Sequence, residues 1–195
     1  MTKAKILVVG SSNTDMILQL PSIPRPGETL LGGRFSMAAG GKGANQAVAA
    51  ARCGGAVTFL ACVGDDLFGR QAIDGFNKEG MDTDRIKVVE SDPSGVALIF
   101  VGDDGENSIG VASGANAQLT PEDVDASASL IDASTVVLMQ LETPLETVTR
   151  TVEIAHEKGA TVILNPAPAQ ELPKSLLEKL TVLTPNESEA ELLSG

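Results

Sequence analysis

Short apolar runs alternate with longer stretches of helical spacing along most of this chain, and that alternation constrains the fold more than any other feature. The runs are Lys5 to Val9, Val57 to Val63, Thr135 to Leu141, Thr161 to Leu164 and Leu180 to Leu183. Between them lie Gly43 to Arg52, Gly69 to Glu79, Pro121 to Leu130, Leu145 to Lys158 and Ser175 to Glu178, whose apolar residues recur at helical intervals. Thr120 before Pro121 is a usable cap at one helix start, and Gly159 after Lys158 is a usable stop at another helix end. Strands joined through helices must run parallel, because a parallel pair needs a crossover too long for a tight turn. The expected fold class is therefore α/β: a doubly wound, mostly parallel sheet with helices on both faces.

Two segments break the rhythm. Residues 14–39 contain short apolar runs interrupted by Pro21, Pro24, Pro26 and Gly27, and residues 96–111 place two apolar runs around the turn Gly102-Asp103-Asp104-Gly105. The second segment reads as a β-hairpin. Neither reads as a crossover helix, so both are expected to form a small antiparallel lid sheet projecting from a single core that occupies residues 1–195. No internal repeat or long linker interrupts it.

Charge and residue inventory exclude several functions. With 26 acidic and 14 basic residues the net charge is −12, and no Lys/Arg cluster offers phosphate neutralisation, so a nucleic-acid partner is not expected. Trp and Tyr are absent, which removes base-stacking platforms. The longest apolar stretches, such as Ile6 to Val9 and Val136 to Met139, are strand-sized, so no membrane span is expected. The N-terminus shows no signal-peptide pattern, making the cytoplasm the expected compartment. Cys53 and Cys62 have no metal or redox spacing, and Cys62 lies in an apolar run as a buried thiol would. The single histidine, His156, lies mid-helix, so neither a histidine triad nor a zinc site is expected. Any divalent metal would be a hard cation held by carboxylates, water and ligand phosphates, hence Mg2+.

In an open parallel sheet, ligands bind beyond the carboxyl ends of the strands. The residues there are Asn13 and Asp15, Gly64-Asp65-Asp66, Gln140 and Glu142, Asn165, and Asn186, Glu187 and Glu189. Carboxylates and amides gathered on one sheet edge suit a polyhydroxylated ligand, although polar loops follow strands in many soluble proteins. Ala39-Gly40-Gly41-Lys42-Gly43-Ala44-Asn45-Gln46 is a glycine-dense turn entering a helix. It matches neither the P-loop nor the dinucleotide-binding fingerprint. Two readings remain open: a turn whose backbone N–H groups meet an anion or ligand oxygen, and a structural helix start.

Together these residues resemble the ribokinase/PfkB carbohydrate kinase family over essentially the whole chain. The carriers are Asn13-Thr14-Asp15, Pro26-Gly27-Glu28-Thr29, Gly40 through Ala47, Gly64-Asp65-Asp66, Gly95-Val96-Ala97, Gln140-Leu141-Glu142, Asn165-Pro166-Ala167-Pro168-Ala169 and Thr184-Pro185-Asn186-Glu187. Asn165-Pro166-Ala167-Pro168 is similar to the ribose-phosphorylating branch rather than to fructokinase-type members. The resemblance implies ATP-dependent phosphorylation of D-ribose at its 5-hydroxyl. It implies substrate contacts from Asn13, Thr14, Asp15, Gly41, Lys42, Gly43, Ala44, Asn45 and Glu142, and apolar lid contacts from Ala97, Ile109 and Val111. Gly40-Gly41 would be the lid hinge, Asn186 would reach ATP, and Glu189 would order the Mg2+ hydration shell without ligating the metal directly. A homodimer through the lid sheet is also implied.

The family's second signature, Asp-Thr-x-Gly-Ala-Gly-Asp, supplies the general base that takes the hydroxyl proton. No such motif occurs between Met1 and Gly195. The resemblance therefore places the base, and a K+ site, beyond Gly195, and the expectation is negligible kinase activity from these 195 residues alone. Another sugar or nucleoside kinase of the same family, and a non-catalytic sugar-binding or dimerising fragment, are the alternative readings.

Overall fold

A computed structural model describes residues 3–194; the terminal positions 1, 2 and 195 of the expected 1–195 domain lie outside the described residues. The strands are β1 (Lys5–Val9), β2 (Asn13–Leu20), β3 (Arg34–Gly40), β4 (Ala56–Gly64), β5 (Ile86–Val89), β6 (Gly95–Gly102), β7 (Asn107–Ala112), β8 (Thr135–Met139), β9 (Thr161–Leu164) and β10 (Val182–Leu183). The helices are α1 (Lys42–Arg52), α2 (Leu67–Lys78), α3 (Pro121–Ser127), α4 (Leu145–Glu157), α5 (Lys174–Leu177) and α6 (Glu187–Ser194).

The core sheet has the order β10-β9-β8-β1-β4-β5, with every pairing parallel. Alternate residues of one strand feed opposite faces, as the two-residue period of a strand requires. Leu7 and Val9 pack with Val124, Val148, Val152 and Ala155 under α3 and α4. Val8 packs with Ala44, Ala47, Phe59 and Phe76 under α1 and α2. Phe59 and Phe76 meet edge to face at 5.1 Å. Cys62 is buried in the first of these layers, and burial, with Asp123 adding to it, pushes its thiol pKa up to about 12. It is an inert core group.

Sequence order and space diverge at β1. The chain runs from β1 outward through β4 and β5, then returns to place β8, β9 and β10 on the other side. The crevice above β1 and β8 is thus the topological switch point, where open α/β sheets hold ligands.

A second sheet, β3-β2-β6-β7, stands over that crevice. Its hairpin turns at residues 102–105, where Gly105 has φ +86° and Gly102 N bonds Glu106 O at 2.9 Å. The expectation of a wholly antiparallel lid needs correction. β2 pairs antiparallel with β3 and β6 with β7, but β2 and β6 run parallel, from Asn13 beside Gly95 to Leu20 beside Gly102. The reason is their origin: both strands rise from the same edge of the core and so point the same way.

Other boundaries shift for local reasons. The segment expected as one helix to Leu130 is α-helical to Ser127 and tightens into a 3-10 turn over Ala128–Leu130. β5 has no counterpart among the expected strands, because Lys87 interrupts its short apolar run. α6 also emerges beyond expectation. Asn186 and Glu189 form reciprocal bonds at its start: Glu189 N donates to Asn186 Oδ1 (2.8 Å), while Asn186 N donates to Glu189 Oε2 (2.9 Å). That exchange satisfies backbone donors a helix start leaves open. No helix among the described residues is long and apolar enough to cross a membrane.

Candidate functional site

The lid and the switch point enclose a cavity of about 670 Å3. β2 brings Asn13 and Asp15 to it on one face, and α1 brings Lys42 and Asn45 from its first turn, with Gly41 just before them. Glu142 enters from the loop after β8, and Ala97, Ile109 and Val111 enter from the lid hairpin. Glu189 lines the far end. Thus ten of the expected residues, from six separate elements, meet in one space.

The remaining four stand elsewhere. Thr14 points to the opposite face of β2, as its neighbour positions Asn13 and Asp15 demand, and lines a separate hollow with Phe68 and Gln71 of α2. Gly43 and Ala44 are buried where α1 crosses the β1–β2 turn. A Cβ on Gly43 would sit 2.4 Å from Ser11 N and 2.6 Å from Gly10 C, so the close crossing itself requires glycine. Asn186 is exposed outside the cavity, its carboxamide joined to Glu189.

The glycine-dense turn also works differently from an anion-binding helix start. Lys42 N donates to Glu142 Oε2 (2.8 Å), Gly43 N to Ser11 Oγ (3.2 Å) and Ala44 N to Ser11 O (2.8 Å). The first donors of α1 are therefore satisfied by protein oxygens, with Glu142 serving as a cap from a distant loop. Gly41 supplies the turn with φ +91°, where a side chain would be strained and its Cβ would lie 2.8 Å from Asn13 N. A Cβ on Gly40 would overlap Asp15 Oδ1 at 2.2 Å, so this pair also permits the carboxylate to lie over the turn.

Asp15 and Glu142 place two carboxylates in the same cavity. Burial, and then the charge of Glu142, raises the Asp15 pKa above its ordinary value. Asp66 belongs to a different arrangement. It accepts from Ser94 N (2.7 Å), Ser94 Oγ (2.8 Å) and Gly69 N (2.8 Å), capping α2. Burial alone would push its pKa up, but these bonds outweigh it and hold the carboxyl below its ordinary value.

Several lining residues lay outside the expected set: Ile99, Ser113, Asn116 and Thr143. Ile99 was legible from the period-two spacing that selects Ala97. Ser113 and Asn116 lie at a polar 3-10 turn after the lid, and Thr143 Oγ1 is buried without a hydrogen-bond partner among the described residues. Nothing in the local residue pattern marked these three. Among the described residues no group of three or more His, Cys, Asp or Glu is arranged to hold a metal.

The family model described as pfkB family carbohydrate kinase matches residues 3–195. A ribokinase of Haemophilus influenzae is 47% identical over 190 residues, covering 97% of this chain and 62% of that protein. A deoxyribokinase of Salmonella typhi is 42% identical, covering 97% of this chain and 62% of that protein. The solved structure of Arabidopsis thaliana ribokinase complexed with ribose and ATP matches with a TM-score of 0.89 and 30% identity, over 100% of this chain and 64% of that one. The chain thus spans under two thirds of the length of these relatives. With cavity, lid and parallel core on one continuous match, the chain belongs to the pfkB family of carbohydrate kinases.

Proposed function

We propose that the chain forms the sugar-binding and lid-bearing part of a ribokinase, which transfers the terminal phosphoryl group of ATP to the 5-hydroxyl of D-ribose. The observation that carries this reading is the pairing of Asn13 and Asp15 on β2 with Glu142 after β8, beneath an apolar ceiling of Ala97, Ile109 and Val111. Carboxylates accept from hydroxyls, amides donate to them, and the ceiling covers the sugar's C–H surface. Two carboxylates facing one Lys42 favour a neutral polyol over an anionic sugar. The similarity to ribokinases, including one solved with ribose and ATP, supports the same substrates here.

In this reading the chain binds and orients the acceptor, and the lid, hinged at Gly40-Gly41, excludes water from the transfer. Asn13, Asp15, Lys42, Asn45 and Glu142 hold the sugar; Asn186 approaches the nucleotide with its free amide hydrogen. Glu189 is 6% exposed and lines the cavity, and its oxygens, though engaged by Asn186, retain lone pairs for metal-bound water. These residues fit a Mg2+ that arrives with the nucleotide and neutralises its phosphate charge. The reading assigns no general base and no K+ ligand among residues 1–195.

The lid's outer face supports a homodimer. Met37, Met16 and Leu98 form one cross-strand row, and Phe35, Leu18 and Phe100 form the next. Phe35 and Leu98 are 62% and 51% exposed, a patch a second copy would cover. The cytoplasm, where ATP is supplied and thiols stay reduced, is the proposed compartment.

The test is a thermal-shift and calorimetric panel of D-ribose, 2-deoxy-D-ribose, D-fructose and adenosine on the purified chain. Preferential stabilisation by D-ribose is expected; preference for adenosine or fructose would overturn the ribose assignment.

A further inference from the structure

Asn116 is 1% exposed and carries the densest set of side-chain bonds near the cavity. Its Oδ1 accepts from Ser12 N at 2.8 Å; its Nδ2 reaches Asn13 Oδ1 at 2.8 Å, Ser113 O at 3.0 Å and Ser12 O at 3.2 Å. The amide orientation here follows from backbone chemistry. Ser12 N can only donate, so it selects Asn116 Oδ1; Ser12 O and Ser113 O can only accept, so they select Nδ2. The atom of Asn13 facing that Nδ2 must then be its oxygen. Gly95 keeps this contact open, since a Cβ there would sit 2.2 Å from both Asn116 Nδ2 and Asn13 Oδ1.

We propose that Asn116 is a positioning residue for the sugar site: by engaging Asn13 Oδ1 it leaves Asn13 Nδ2 as the atom offered to the ligand. Asn13 then acts as a donor and Asp15, two residues on along the same strand face, as an acceptor. A single hydroxyl that accepts from Asn13 and donates to Asp15 satisfies both, whereas a carbon-bound hydrogen at that position satisfies neither. Asn116 thereby contributes, through Asn13, to discrimination between ribose and the analogue that lacks the hydroxyl Asn13 reads. The same bonds tie the entry of β2, at Ser12 and Asn13, to the exit of β7, at Ser113, so lid and donor are set together.

The inference rests on the sugar reading of the cavity, and the test separates the two. In a 15N-labelled chain, solvent exchange of the Asn116 side-chain NH2 is expected to be at least about tenfold slower than that of Asn13; equal exchange would overturn the proposal with no variant needed. Calorimetry then compares D-ribose with its 2-deoxy and 3-deoxy analogues on the wild-type chain and on Asn116→Asp. Where wild type loses about tenfold or more for the hydroxyl that Asn13 reads, the variant is expected to bind ribose and that analogue within about twofold of each other. A variant that weakens every sugar in equal proportion, leaving the ratio unchanged, would mark a purely structural role and overturn the proposal. Slow Asn116 exchange in a wild-type chain that binds no pentose would instead overturn the sugar reading on which it rests.

Discussion

Ser11 and Glu142 meet across the two central strands of the sheet: Ser11 Oγ donates to Glu142 Oε2 at 2.5 Å, and the same carboxylate oxygen accepts Lys42 N at 2.8 Å. One side chain from after β8 thereby joins the β1 turn to the start of α1, and one of its oxygens stays available to the cavity. Fold stability and, in the proposed function, sugar geometry are expected to depend on the same contact.

Ser11→Ala breaks that junction. Ser11 is fully buried and its hydroxyl also accepts from Gly43 N, which the change leaves without its partner. The expected cost is about 1–3 kcal/mol, the usual penalty for a buried donor left unpaired, measured by urea unfolding. Ribose affinity is expected to fall with it, since Glu142 loses its tether.

Asp15 is expected to make the proposed sugar binding pH-dependent. Its folded-state pKa lies above the ordinary value, so the folded chain holds this proton more tightly than the unfolded chain does. Ionising Asp15 therefore costs stability, a cost absent below the unfolded-state pKa and fully present once pH has risen through the folded-state value. Acceptance from sugar hydroxyls needs the ionised form, so affinity for D-ribose is expected to fall as pH drops through that raised pKa. Asp15→Asn should melt at a higher temperature at neutral pH, lose most sugar affinity and flatten the pH profile of binding, all readable by calorimetry.

Gly43→Ala tests the crossing of α1 over the β1–β2 turn. The added methyl meets backbone at 2.4–2.7 Å rather than a movable side chain. Overpacking of about 1–3 kcal/mol is expected, seen as a lower urea midpoint without change in the slope of the transition.

Thr14→Val separates strand face from motif membership. Thr14 sits between two cavity residues in sequence but on the other side of the sheet. The substitution is expected to leave ribose affinity within about twofold, by titration calorimetry, while Asp15→Ala abolishes it.

The core was readable because its physical signal is local. The runs at β1, β4, β8 and β9 are apolar on both faces, as strands covered by two helical layers must be, and the intervening helices carry their own period. The parallel pairing of β2 with β6 was not readable, because Asn13 and Gly95, far apart in sequence, become neighbours only when both strands leave the same core edge. Cavity-lining residues on strands were legible through strand-end position, yet period two places Thr14 on the other face, a distinction a contiguous motif cannot make. The Asn186–Glu189 spacing reads equally as a nucleotide contact and as a helix cap; the structure forms the cap and brings Glu189 alone to the cavity. Asn116, in Ser113-Gly114-Ala115-Asn116, looks like any polar loop residue until the chain folds it onto Ser12.

Asp15 and Glu142 together are expected to make the cavity a pentose site. Titration of D-ribose into the 195-residue chain, wild type beside Asp15→Asn and Glu142→Gln, tests it most directly. Saturable binding at one site per chain is expected, weakened about tenfold or more by either substitution, in line with the loss of a charge-assisted hydrogen bond. Ribose binding that persists unchanged in both variants, or that is absent from the folded wild-type chain, would contradict it.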